Sequence, residues 1–182
     1  MAARIAPTTK PTAKDRPMRT SRIRRTVIAA TLGLLTAGTS VVATAEETPQ
    51  PTYSVAVSTA QVALGETVEV TITASDVQDL YTYDLTIEFD PALFVYMPGS
   101  AESGTSGVTV DDPAPSNVRV VHTKLGTSPA ASGDVLLATV TLRAKGTGVT
   151  TVEVPSLVSV ATDKSTTTVS DVGSAEVTVT TN

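Results

Sequence analysis

The sequence predicts an all-β fold, a single jelly-roll β-sandwich of about nine to ten short strands. Three observations lead there. From Tyr53 onward the apolar residues recur with period two, as in half-buried strands, and no stretch shows the 3.6-residue stripe of an amphipathic helix. Thr and Val dominate, and both are β-branched and stiff at χ1, which favours the extended backbone. Gly, Pro and Asp pairs separate the apolar runs at short intervals, as turns do.

In chain order, the first 45 residues read as a leader. Eight basic residues (Arg4, Lys10, Lys14, Arg16, Arg19, Arg22, Arg24, Arg25) stand against one acid, Asp15, and run into an apolar stretch over 26–42. A basic segment, an apolar segment and the small-x-small site Ala43-Thr44-Ala45 are the layout of a secretory signal peptide cleaved before Glu46. Thr31, Gly33, Thr36, Gly38, Thr39 and Ser40 interrupt the apolar segment, which is short for a spanning helix. Arg24-Arg25 loosely resembles a twin-arginine export signal, so the route is Sec or Tat. Residues 46–52, with Pro49 and Pro51 and no periodicity, read as a linker. Residues 53–182 form the expected module, extracellular and free of the membrane once the leader is gone.

Within that module, Val55 and Val57, and then Val68, Val70 and Ile72, alternate with polar residues. The next strand carries Tyr81, Tyr83, Leu85, Ile87 and Phe89 on one face and Thr82, Asp84, Thr86 and Glu88 on the other. Further strands are expected at 93–97, 107–110, 117–124, 135–145, 149–154, 157–161 and 175–180. Turns fall at Leu64-Gly65, Asp90-Pro91, Pro98-Gly99, Asp112-Pro113, Ser132-Gly133 and Gly146-Thr147-Gly148. No repeat of fixed period is present, so a single module is expected.

Charge and composition narrow the function. Only five of the 13 basic residues lie beyond residue 45, against 17 of the 18 acidic ones, leaving a net charge of about −12. Nucleic acid and anionic membrane are therefore poor partners, because phosphate binding needs a basic patch. With no cysteine there is no disulfide framework and no thiolate metal site, and the core alone must supply stability. The single histidine, His122, shares a face with Val118 and Val120 and reads as a partly buried packing residue with one hydrogen bond. Asp111-Asp112 and the pair Asp76 and Asp79 lack the graded ligand pattern of a calcium loop and read as exposed turn residues. No nucleophile elbow, HExxH, P-loop or zinc spacing occurs. A glycosidase needs two carboxylates across a cleft, for which a compact sandwich has little material. The expectation is a binding module, not an enzyme, with no metal or cofactor of its own.

Residues 77–95, Val-Gln-Asp-Leu-Tyr-Thr-Tyr-Asp-Leu-Thr-Ile-Glu-Phe-Asp-Pro-Ala-Leu-Phe-Val, resemble the third-strand region of cohesin modules. Residues 133–145, Gly-Asp-Val-Leu-Leu-Ala-Thr-Val-Thr-Leu-Arg-Ala-Lys, are similar to that family's Gly-Val-Leu-Ala-Thr-Ile-Thr-Phe strand, and Val68-Glu69-Val70-Thr71-Ile72 after Leu64-Gly65-Glu66 matches its opening. The resemblance implies a jelly-roll sandwich whose outer face docks a calcium-loaded dockerin-like domain of an extracellular polysaccharide-degrading enzyme, the calcium being carried by the partner. It places Asp84 where cohesins present an outward carboxylate to the partner, with Thr82 where an Asn is frequent and Thr86 on the same face. Val121 and Lys124 fall near the contact positions of the facing strand. Strand alternation independently puts Asp84 opposite the buried Leu85 phase, free to accept hydrogen bonds or simply to be solvated.

The alternative is a carbohydrate-binding or adhesive Ig-like sandwich in direct contact with polysaccharide. Sugar-binding faces use exposed Trp or Tyr platforms. This chain has no Trp, and its tyrosines are Tyr53, Tyr81, Tyr83 and Tyr96, of which Tyr53 or Tyr96 is the candidate lone platform. With one module and no second binding domain, a stand-alone receptor or soluble adaptor is expected over a multi-enzyme scaffold.

Overall fold

The computed structural model describes residues 50–181, all strand, turn and loop; the leader lies outside the described residues. Among the described residues nine strands run in chain order: β1 (Thr52–Val57), β2 (Gln61–Ala63), β3 (Thr67–Glu88), β4 (Phe94–Tyr96), β5 (Val108–Pro113), β6 (Asn117–Thr123), β7 (Ala131–Ala144), β8 (Gly148–Ala161) and β9 (Thr166–Thr180). Hydrogen bonding joins them in the path β2-β9-β8-β3-β6-β5, with β1 and β7 also on β3 and β4 on β7. The sheet curls over on itself around one core, giving the expected sandwich.

The curl is made by β3. Its first part pairs with β1 and β7, and its last part, from Thr82 to Glu88, lies between β6 and β8. Two strands expected from the sequence are thus one 22-residue strand. The connection is a series of bulges between Ala74 and Leu80, where Asp76 and Asp79 take left-handed φ of 58° and 55°. Asp tolerates that conformation better than a branched residue, and a bulge bends a strand without ending it. Asp79 holds the bend: its amide nitrogen donates to Ser132 Oγ, and its carboxylate accepts from the Thr162 amide and hydroxyl. The runs 149–154 and 157–161 likewise merge into β8, with Pro155 at a register shift where no ladder donor is required.

Three further differences have local causes. Strand β9 begins at Thr166, earlier than expected, because the Thr-rich segment pairs with β8 while exposing both its faces. Strand β2, which the sequence pattern did not show, is three residues long and parallel to β9. Asp111, Asp112 and Pro113 belong to β5 and not to a turn: β5 pairs only with β6, and an edge strand accommodates proline.

Valine makes up much of the core, with Tyr83, Phe94, Ile72, Leu85, Ile87, Leu137, Leu142 and Leu157 as its largest buried side chains. Truncating one of these leucines to alanine removes buried area and leaves a cavity, a loss of about 2–5 kcal/mol.

Candidate functional site

The outward phase of β3 supplies the candidate face. Leu85 and Ile87 are sealed in the core, so Thr82, Asp84, Thr86 and Glu88 point the other way. Cross-strand register assembles rows on that face. One runs Val110, Val121, Asp84, Val158, Thr168 across β5, β6, β3, β8 and β9. Beside it lie Val108, Thr123, Thr82, Val160, Thr166 on one flank and Asp112, Arg119, Thr86, Ser156, Ser170 on the other. A carboxylate therefore sits mid-row between valines, and the β5 valines are open to solvent, Val108 at 43% and Val110 at 56%. Scattered exposed valines are unremarkable; aligned on one sheet face they make an apolar surface able to exclude water.

The structure brings Thr82, Asp84, Thr86 and Val121 together on this face. Lys124 does not join them. Along β6 the buried residues are Val118, Val120 and His122, and Lys124, one residue past the strand, continues that inward phase at 9% exposure. Period two forbids Val121 and Lys124 from sharing a face, so the outward neighbours of Val121 are Arg119 and Thr123.

Arg119 is the residue sequence reasoning missed. Opposite Thr86 in register, it sends its guanidinium diagonally to Asp84, with Nε donating to Oδ1 at 2.9 Å and Oδ2 at 3.1 Å and Nη2 to Oδ2. The carboxylate holds the guanidinium firmly charged, raising its pKa, and Asp112 adds a weaker pull. Parity with Val121 was the available signal. Thr82 is also engaged across the strands, its hydroxyl 2.8 Å from that of Thr123.

Beneath this face lies a polar cluster within the core. Tyr83 Oη donates to the Leu137 carbonyl and lies 2.8 Å from Ser103 Oγ; burial pushes the phenol up to about 12. His122 is buried and makes two side-chain hydrogen bonds where one was expected, Nε2 to Thr105 Oγ1 and Nδ1 to Thr109 Oγ1, both 2.9 Å. Gly107 is needed here, since a Cβ would stand 2.4 Å from the Thr123 carbonyl and 2.7 Å from the His122 ring. Both imidazole nitrogens are thus committed to threonines that pin the 105–109 segment over the core.

The alternative sugar platform loses Tyr96, which is 4% exposed and donates its hydroxyl to Asp111 Oδ2 at 2.8 Å. Tyr53 packs against the core at a cleft of about 650 Å³, bordered also by Val77, Asp79, Leu80, Leu157 and Val169. Among the described residues no three His, Cys, Asp or Glu side chains are grouped to hold a metal ion.

A family model described as Cohesin domain matches residues 53–180. Solved structures similar to the chain include the cohesin module of a family 33 glycoside hydrolase from Clostridium perfringens, 18% identical over 72% of this chain and 98% of that one, with a TM-score of 0.61. Another is the sixth cohesin of a scaffoldin from Acetivibrio cellulolyticus, in complex with a dockerin (15% identity, 71% and 99% coverage, TM-score 0.58). A third is a type I cohesin–dockerin complex from Clostridium thermocellum (16%, 71% and 99%, 0.57). No curated protein matches the chain significantly.

Proposed function

The chain belongs to the cohesin family, and from that premise we propose that it is a secreted, non-catalytic module that docks a dockerin-type domain through the outer face of β5, β6, β3 and β8. The observation that carries this reading is the row Val110, Val121, Asp84, Val158: apolar side chains flanking a hydrogen-bonding centre on one face of the sheet. Such a surface buries area against a partner while the central polar groups fix its register. The partner is a domain of an extracellular polysaccharide-degrading enzyme, and calcium, where required, belongs to that partner. The buried Tyr96 and the absence of Trp weigh against direct polysaccharide binding.

Affinity capture tests the reading. The protein is immobilised and exposed to culture supernatant of its own source with calcium present. A retained protein bearing paired calcium-loop repeats, released by chelator and lost on Val121→Lys, is the expected result. Retention of no such protein overturns the reading, and retention of the module on insoluble cellulose, xylan or chitin replaces it with the sugar-binding one.

A further inference from the structure

We propose that Arg119 is a specificity filter built into the docking face: it engages both carboxylate oxygens of Asp84, so the face accepts partners that leave the ion pair standing and rejects those whose donors displace it. This rests on the docking reading above. It departs from the simplest expectation for Asp84, in which the carboxylate is open to the partner.

The geometry is specific. Nε and Nη2 of Arg119 both engage the carboxylate, and the side chains remain 54% (Arg119) and 31% (Asp84) exposed, so the pair lies at the surface that a partner would cover. Arg119 is the one described basic residue whose register places it in these rows; Lys124 is turned inward. In the free protein an exposed pair of this kind is worth little, because water solvates either charge almost as well. Docking changes the balance. Once the face is covered, an intact pair is neutral and tolerates apolar neighbours, whereas a guanidinium stripped of its carboxylate is a charge buried without a partner. A partner whose donors take the place of the guanidinium on Asp84 therefore strands Arg119. That is the repulsive element through which an interface discriminates. The partner it favours sets apolar side chains over Val110, Val121 and Val158. It also presents an acceptor oxygen to the guanidinium N–H groups that Asp84 leaves free, since arginine carries five donors.

The test compares wild type, Arg119→Ala, Asp84→Asn and the double variant by calorimetry. The probes are the two dockerins of the Acetivibrio cellulolyticus and Clostridium thermocellum complexes. If the filter operates, Arg119→Ala binds at least one of them about tenfold or more tighter than wild type, the size of effect expected when a buried unpaired charge is relieved. That gain vanishes in the double variant, which has no carboxylate to unmask. Equal or weaker binding by Arg119→Ala to both probes, including no binding by either protein, overturns the filter. So does a gain that survives in the double variant. Failure of the docking reading is separate: it shows as wild type retaining no repeat-bearing protein from its own supernatant, a result that Arg119 variants do not enter.

Discussion

The ring of Tyr83 stacks on that of His122, with centroids 5.1 Å apart and planes 18° from parallel, directly behind the outward pair Asp84 and Val121. Each strand thus carries an inward residue that braces the sheet next to an outward residue on the candidate face. The proposed docking row is backed by a buried aromatic pair whose remaining polar atoms are committed to Leu137, Ser103, Thr105 and Thr109.

That bracing makes stability depend on pH. Burial, and secondarily the charge of Lys124, lower the His122 pKa below its ordinary 6.5. The unfolded chain then binds a proton that the folded chain refuses. Stability is full above 6.5 and falls as pH drops from there towards the folded value. Thermal melts at about pH 7.5 and about pH 5.5 are expected to show a lower Tm at the acidic value. In His122→Gln, which keeps a donor and an acceptor, that part of the drop should be absent. An unchanged drop in the variant would assign the effect to other groups.

The inward placement of Lys124 gives a second prediction. Because its charge helps to depress the His122 pKa, Lys124→Met should raise that pKa, as followed by the imidazole resonances of the only histidine in the chain. Docking should be unaffected, since residue 124 faces inward. A loss of partner binding comparable to that of Val121→Lys would return Lys124 to the outer face.

The docking row itself makes a third. Val158 lies across β3 from Val121 with Asp84 between them. Val158→Lys places a flexible charge where a partner would need apolar contact, and should cut affinity at least about tenfold, the loss expected at the centre of an interface. Surface substitutions of this kind shift stability by only about 0.5 kcal/mol, so the melt should barely move. An unimpaired Val158→Lys would move the contact surface off β8.

Much of this was legible in the sequence because period two is a strong signal wherever one face is buried: Leu85, Ile87, Val118 and Val120 each fall in the phase that the alternation assigns. Legibility ended where alternation breaks or cannot be anchored. Asp76 and Asp79 read as a turn because their composition is that of a turn, yet β3 passes through them by taking left-handed φ within its bulges. The Thr-rich start of β9 shows no alternation because it is exposed on both faces. Asp84 was placed on the correct side by parity alone, but its partner Arg119 was hidden because the ion pair is diagonal across two strands and joins residues 35 apart in the chain, a pairing that alternation within one strand does not reveal. Lys124 was misplaced for want of one count along β6.

The last prediction concerns the loop between β4 and β5. Asp111 Oδ2 accepts from both Tyr96 Oη, at 2.8 Å, and the Gly99 amide, at 2.9 Å, tying the turn after β4 to the inward phase of edge strand β5. The Gly99 amide, then the Tyr96 hydroxyl, hold the Asp111 carboxyl below its ordinary 3.8. The contribution is therefore present above 3.8 and is lost as pH falls through the lower folded value. Tyr96→Phe removes one hydrogen bond to a charged acceptor. Because Asp111 is only half-buried, at the edge of the sheet, the expected cost near neutral pH is about 1 kcal/mol, below the usual range for bonds to charged groups. Chemical denaturation of wild type and variant should show that difference near neutral pH and a smaller one in acid, once the carboxylate is protonated. A difference that stays constant into acid would mean that the Tyr96 hydroxyl contributes independently of the charge on Asp111.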